Sequence, residues 1–370
     1  MFPNLVGIVN SLLLTISALA GQNDPQYKIT PVGFLQMLLE NATTATVANA
    51  DDLRKGLERT LTVRYMQRGT DTDVVDTDDC ETNVTAAWKQ TNIGAPMFSK
   101  LGIKIEDDLL RQLQESATST ITLGSQGANV YLALYQTVLT QLNGLIQKID
   151  KNLLAAQAGN WGVNIASGSS AARAVNFSNT PNISDGIVKL ISDYQFNEMS
   201  GTPQIVGNGI ITNYDILQRL KIGVDNGGFG SNPVNVYTDV NTVSAWGANH
   251  FGVFVPGLVD FVDYQRNIGA FAGFKGGSLF FTMPVPVQLA GGRLVSLVFD
   301  CQLKYNDCPD GDSGRGWFLL ISKRYGLWNA PADMFKQTIP AVAGDNPVPE
   351  IPGDRLEGFN GSLHYLATAV

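Results

Sequence analysis

Between Ser116 and Gln147 the chain carries no charged side chain, and no proline occurs between Pro96 and Pro181. Within this stretch Tyr131, Tyr135, Val138, Leu142, Leu145, Ile149 and Leu153 recur at spacings of four and three. That period predicts a helix with one apolar stripe. Running from Gly127 to Gln157, it would be roughly 45 Å long, about three times an ordinary globular helix. Its polar face is finished with Asn129, Gln136, Gln141, Asn143 and Gln147. So many amides exclude a membrane span. A long helix with an uncharged polar face is expected to be covered by protein on more than one side. Its end is expected at Gly159, as a left-handed C-cap.

The rest of the composition points the same way. Charged residues make up 16% of the 370, against about 25% in ordinary soluble proteins. The surface must then be finished with Asn, Gln, Ser, Thr and Gly, which suits a subunit that stays in contact with neighbours. The net charge is −8, and no basic patch or basic tail is expected, so sequence-specific nucleic-acid binding is not expected. Three cysteines give no disulfide framework. Cys301 and Cys308 are placed to face each other across a turn, but reduced thiols are the plainer reading. Leu5 to Ala20 is apolar-rich, interrupted by Asn10, Ser11 and Thr15, and Ala18-Leu19-Ala20 resembles a leader cleavage site. The positive n-region of a secretory leader is missing, which favours an amphipathic N-terminal arm.

In chain order, short helices are expected at 5–20, 31–39 and 51–58, then a strand at 60–66. Asp71, Asp73, Asp76, Asp78, Asp79 and Glu81 follow around Cys80. They read as a solvated extended loop, or as a calcium site without calcium-loop spacing. A strand at 85–93 completes a two-stranded projection. A short helix near 106–115 precedes the long helix, and a loose hairpin follows to Ala174. From residue 183 to 330 helices at 185–196 and 212–222 alternate with strands at 203–207, 234–237, 251–255, 279–283, 294–299 and 317–322. This reads as one compact α+β unit. A proline-rich tail ends in a strand at 362–366.

Chemistry is sparse. Gly311-Asp312-Ser313-Gly314 matches the string around a trypsin-like nucleophile, but a triad needs a histidine base. The chain has only His250 and His364, and neither has the right context. A tight turn is the simpler reading. Asp307, Asp310 and Asp312 in the same turn could hold calcium, with incomplete spacing. Asp225 to Gly230 is a glycine-rich loop without the Lys-Ser/Thr of a phosphate loop. Asn41, Asn83 and Asn360 open glycosylation-type triplets, which matter only in a secreted chain. No catalytic, metal or cofactor residues are assigned.

The order of arm, β-projection, long helix, compact α+β unit and a closing strand back beside the helix resembles the major capsid proteins of tailed bacterial viruses, the Hong Kong 97-type fold. Leu61 to Arg68 followed by Asp78-Asp79-Cys80 resembles the opening of the extended loop in capsid proteins of phages of Bacteroidetes hosts. Asp354 to Leu363 resembles the closing segment of the same group. The resemblance implies an N-terminal arm (1–58), an extended β-hairpin loop (59–98), a peripheral domain with the spine helix (99–182), an axial domain (183–330) and a C-terminal return (331–370). It implies a non-enzymatic subunit that assembles with itself into the pentamers and hexamers of an icosahedral shell. That shell would be built in the host bacterial cytoplasm and become part of the virion. It would enclose double-stranded DNA without sequence-specific binding, with no membrane, and would meet portal, decoration and separate scaffolding proteins. Two other readings stand beside it: a nanocompartment shell, and a secreted or surface binding protein. A serine hydrolase would rest on Ser313 alone.

Overall fold

A computed structural model describes residues 5–20, 27–31, 33–41, 45–66, 88–117, 126–164, 167–176, 190, 193–194, 201–208, 235–289, 292–306, 316–331 and 360–368. The architecture is mixed α+β, with a long helix and three sheets.

The first elements are α1 (Leu5–Ala20), α2 (Gly33–Glu40), β1 (Thr46–Val47), α3 (Ala50–Lys55), β2 (Thr62–Met66), β3 (Trp88–Asn92), β4 (Met97–Ile105), α4 (Asp107–Ala117) and α5 (Gln126–Ala158). There follow β5 (Arg173–Asn176), β6 (Gln204–Gly207), β7 (Asn235–Thr238), α6 (Thr242–Ala245), β8 (His250–Phe254) and β9 (Val259–Tyr264). The last are β10 (Gly273–Lys275), β11 (Ser278–Gln288), β12 (Leu294–Asn306), β13 (Gly316–Asn329) and β14 (Ser362–Thr368).

The largest sheet runs β10-β11-β12-β13-β4, all antiparallel. Its strands outrun the expected ones, because β13 continues past Ser322 through Lys323-Arg324-Tyr325 to Asn329. Two charges interrupt the apolar run, yet the alternation persists across them. Strand β13 also changes partner along its length. Its first half pairs with β12 as far as Ser322↔Asp300, and its second half pairs with β9 from Arg324↔Tyr264 to Asn329↔Val259.

One face of this sheet packs on α5, the other is divided. On the α5 face lie Leu319, Ile321 and Tyr325, all buried. Tyr325 Oη accepts a hydrogen bond from Asn152 Nδ2 of α5 at 2.9 Å and lies 2.9 Å from Ser99 Oγ of β4. The apolar stripe of α5 is fully buried, from Tyr131 through Val138, Leu142 and Ile149 to Leu153. Helix α1 joins the same core through Leu5, Ile8, Val9, Leu12, Ile16 and Leu19, and touches α4, α5 and β11. The expected helix at 5–20 is thus present and folded into the body of the chain. On the other face, β1-β2-β3 forms a three-stranded sheet that covers β9 and the end of β13. Leu61, Val63 and Tyr65 meet Val262, Tyr264 and Trp328 there. A Cβ at Gly326 would stand 2.9 Å from Ile93, so glycine is what lets the hairpin close on β13.

The third sheet has the order β5-β14-β8-β6-β7, with β14/β5 and β6/β7 parallel and β8 antiparallel to both its neighbours. The strands between 183 and 330 are shared between two sheets, and β4, unread in the sequence, pairs with β13. One expectation changes here. The closing strand, expected beside the long helix, lies inside the five-stranded sheet between β5 and β8. Its first residue reaches the end of α5, where Gln157 Nε2 donates to Ser362 Oγ at 3.0 Å. Main-chain pairing on both edges of β14 satisfies more polar groups than packing beside a helix could.

One smaller expectation is also corrected. Gly159 does not take a left-handed conformation. Instead Asn160 Nδ2 donates to Ala156 O at 2.9 Å and caps an open carbonyl of the last turn. Cys301 is a free, fully buried thiol. It lies five positions before the end of β12, about 16 Å of extended chain. Cys308 lies outside the described residues.

Candidate assembly surface and the joints behind it

The exposed side of α5 is the feature that most separates this chain from a free-standing globular protein. Asn129, Gln136, Thr140, Gln141, Asn143 and Gln147 are all exposed. They span 19 positions, about 27 Å of helix, with no charge among them. From its sequence this helix is expected to meet protein on more than one side. Within the single chain one side is buried and the other is open. Exposed apolar side chains add to the open surface: Val6 and Leu14 on α1, and Met66 and Trp88 on the β2–β3 hairpin. The Arg64 guanidinium lies over the Trp88 ring, 4.5 Å from its centroid.

Behind this surface, buried polar side chains join α5 to the sheets. Asp150 and Asp239 are almost fully buried. Leu35 N donates to Asp150 Oδ1 at 3.0 Å, and Phe34 N donates to Asp239 Oδ2 at 3.0 Å. Two carboxylates thus cap the first turn of α2, where open N–H groups and the helix dipole favour negative charge. Burial, then the neighbouring charge of Asp239 and a hydrogen bond with it, push the Asp150 carboxyl up to about 8. At neutral pH the pair holds a proton. Gln157, also buried, accepts from Asn329 Nδ2 at 3.2 Å, which ties the ends of α5 and β13 to the start of β14. Asp193 accepts from Arg173 and, at 3.2 Å each, from Asn164 Nδ2 and Tyr365 Oη.

The two histidines meet. His250 Nδ1 and His364 Nε2 are 2.9 Å apart across β8 and β14, so one ring donates to the other. Trp161 stacks on His364 at 4.3 Å with its plane within 9°. A Cβ at Gly252 would lie 2.8 Å from Trp161 and closer still to Phe254, so this glycine makes room for the stack. Burial, then the His250 ring, hold His364 down to about 4, and burial lowers His250 as well. Both rings are neutral at pH 7 and bind each other, an arrangement that packs two strands.

The polar motifs singled out in the sequence lie elsewhere. The acidic run 71–81, the turn with Asp307, Asp310, Asp312 and Ser313, the loop 225–230 and the expected helix 212–222 all fall outside the described residues. Among the described residues no cluster of His, Cys, Asp and Glu could hold a metal ion. No described helix is long and apolar enough to cross a membrane.

One surface went unseen in the sequence. The face of the six-stranded sheet turned away from α5 carries Lys100 and Lys104 from β4, Lys304 from β12 and Arg324 from β13. Alternation along each strand sends these side chains to one face. No such patch is visible in the sequence, because Lys100 and Lys104 lie two hundred or more positions before Lys304 and Arg324. The sheet assembles them.

No protein-family model matches the sequence, and no curated protein matches it. Among solved structures, the chain is similar to the capsid asymmetric unit of Cyanophage A-1(L), at 11% identity and a TM-score of 0.44, covering 95% of this chain and 98% of that one. It is similar to a structure from Mycobacterium phage Bobi at 10% identity and a TM-score of 0.41, covering 90% and 91%. It is also similar to the capsid structure of Staphylococcus phage Andhra at 6% identity and a TM-score of 0.32, covering 84% and 81%.

Proposed function

We propose that this chain is the major shell subunit of a tailed-phage head, of the Hong Kong 97 type, assembling with itself around double-stranded DNA. The observation that carries the reading is the open, charge-free side of α5. A side exposed over about 27 Å and finished only with amides, hydroxyls and small groups is poorly suited to water alone. It is well suited to contact with another copy, since the cores of lasting interfaces are depleted in charge. The exposed Trp88 and Met66 on the hairpin, and Val6 and Leu14 on α1, extend the same logic to other edges. The buried joints give the reverse face of α5 the rigidity that a repeating shell subunit requires. On this reading the role is structural, and the subunit is no enzyme.

The test is assembly of the purified full-length chain, followed by sedimentation and electron microscopy. Closed shells are expected. Thr137→Arg with Thr140→Arg places two charges on exposed positions of α5 and should leave the thermal transition of the subunit within a degree or two. The same pair should abolish shells. A chain that stays monomeric under all solution conditions, or shells that form normally with both arginines, would overturn the reading. Shells filled with cargo protein in place of DNA would assign it to a nanocompartment.

A further inference from the structure

The open face of the six-stranded sheet carries a recess of about 390 Å³. It sits where β13 leaves β12 for β9. Strand pairing stops at Asp300↔Ser322, and β9 joins at Arg324↔Tyr264. The wedge left between β12 and β9 is organised by one carboxylate. Asp300, 3% exposed, accepts from Arg266 N at 2.8 Å, from Asn267 N at 2.8 Å and from Arg324 at 3.3 Å. The backbone after β9 is therefore curled over the sheet edge. Arg266 lines the recess from that turn, Lys275 from β10, Lys100 from β4 and Arg324 from β13. Arg324 also lies over the exposed ring of Phe98, at 4.8 Å from its centroid.

Four cations thus converge against a single carboxylate, whose oxygens already have partners. The charge continues beyond the recess. The register sets Lys100 beside Ser322 and Asp300, and sets Lys104 and Lys304 on either side of Phe318. Lys100 and Lys104 are four residues apart on one strand, roughly 13 Å. A small anion would occupy the recess and leave Lys104 and Lys304 unused. An extended polyanion with charges spaced along its length would use both. The chain as a whole carries −8, so its other surfaces repel such a polyanion and leave this face as the one that attracts it.

We infer that this sheet face binds the phosphate backbone of a nucleic acid, without reading its bases. It rests on the shell reading above, and places this side of the sheet toward the enclosed genome. The contacts are to phosphates, which position without specifying sequence.

The experiment is a salt titration of binding to a short fluorescent DNA duplex by the purified full-length chain. Tripolyphosphate and poly-glutamate serve as competitors, and particle formation is scored by microscopy in the same samples. Affinity should fall by about a thousandfold between 50 and 200 mM salt if all six cations neutralise phosphates. Two duplexes of unrelated sequence should bind equally. Lys100→Ala with Lys275→Ala should weaken binding by about tenfold or more at low salt and flatten the log–log salt slope by about 2. Both side chains are exposed, so the fold should survive. Lys55→Ala with Lys151→Ala removes the same charge from other surfaces and should bind as the parent does. No duplex binding at low salt, equal loss in both double variants, poly-glutamate competing as well as DNA, or binding of tripolyphosphate alone would each overturn the proposal. Shells without DNA binding would sink only this inference. DNA binding by a chain that never forms shells would sink the shell reading on which it rests.

Discussion

Asp150, in the last third of α5, and Asp239, just after β7, point their carboxylates at the same first turn of α2 and share a hydrogen bond. The long helix, the five-stranded sheet and α2 are joined at that one point. Asn241 reinforces it, donating Nδ2 to Asp150 Oδ2 at 3.2 Å and N to Asp239 Oδ1 at 2.9 Å.

This pair makes stability depend on pH in a stated direction. The folded Asp150 carboxyl is raised to about 8 from 3.8, so the folded chain holds a proton that the unfolded chain releases. Its contribution is fully present below about pH 4 and is lost as pH rises through about 8. Asp150→Asn retains an acceptor for Leu35 N but cannot ionise. The variant should lose about 1 kcal/mol at pH 5, since its amide cannot accept from Asn241, and should lack the decline between about pH 4 and 8. Melting curves from pH 5 to 9 decide it. A wild-type profile parallel to the variant's would mean that the two carboxylates do not share a proton.

Gly33 sits at the same joint with φ of +68°. A Cβ built there would be 2.1 Å from Asp239 Oδ2, inside the carboxylate itself. Gly33→Ala should therefore cost about 2 kcal/mol or more, from the left-handed backbone and from displacing a buried capping group. Gly144→Ala is the control, on the exposed side of α5 with nothing within 4 Å of the added methyl. It should be neutral or stabilising by up to about 1 kcal/mol. Chemical denaturation of both variants provides the comparison.

Much of this was legible in the chain. Tyr131, Val138, Leu142 and Leu153 announce α5 within a residue at each end, because burial on one face imposes its period on the sequence. Strands β8, β12 and β13 are visible as β-branched and aromatic runs, though their ends are not. What the sequence hides is pairing across distance. Nothing local in Met97 to Ile105 says that it will lie beside β13, more than two hundred residues on, and Gly102 and two lysines disguise the strand. The Asp150–Asp239 cap, the His250–His364 pair and the basic sheet face share that origin. Each is made of ordinary polar residues that gain meaning only from a neighbour the sheet or the helix supplies. The expectation of no basic patch fails at Lys100, Lys104, Lys304 and Arg324, which only the strand register brings onto one face.

Lys323 gives a second pH-dependent test. It is 1% exposed, lies on the α5 face of β13, and donates to Asp263 and, at 2.6 Å, to Val298 O. The rings of Phe261 and Phe299 flank it. Burial lowers its ammonium to about 7 from 10.5. Here the unfolded chain binds the proton more readily, so stability rises with pH between about 7 and 10.5. Lys323→Met fills the space without a desolvated charge and should match or exceed the parent at pH 7. It should also lose the rise at alkaline pH. A strongly destabilised methionine variant would show that the Asp263 pairing outweighs the burial of the amine.

The two sides of α5 should separate folding from assembly. Leu142 is fully buried, and Leu142→Asp places an unpaired charge in the core. With the cavity it leaves, the loss should be about 4 kcal/mol or more, enough to leave little folded subunit and no shells. Its neighbour Gln141 is exposed. Gln141→Asp should melt within about 0.5 kcal/mol of the parent while its assembly is impaired. Circular dichroism and sedimentation on the two variants give opposite pairs of answers. Equal stability in both would mean that the buried stripe is misassigned.

Helix α1 decides between a shell subunit and a chain processed at Ala18-Leu19-Ala20. Its buried side chains Leu5, Ile8, Val9, Leu12, Ile16 and Leu19 belong to the same core as α5. At about 1.5–3 kcal/mol for each, those six contribute on the order of 9–18 kcal/mol of transfer free energy. That matches or exceeds the roughly 5–15 kcal/mol net stability of a typical domain. Removal of residues 1–20 would uncover Leu113, Tyr131 and the inner side of β11 to water. The truncated chain should show no cooperative thermal transition and should aggregate on refolding, while the full-length chain melts cooperatively. A truncated chain as stable as the full one would show that α1 is dispensable to the core and would favour the secreted reading.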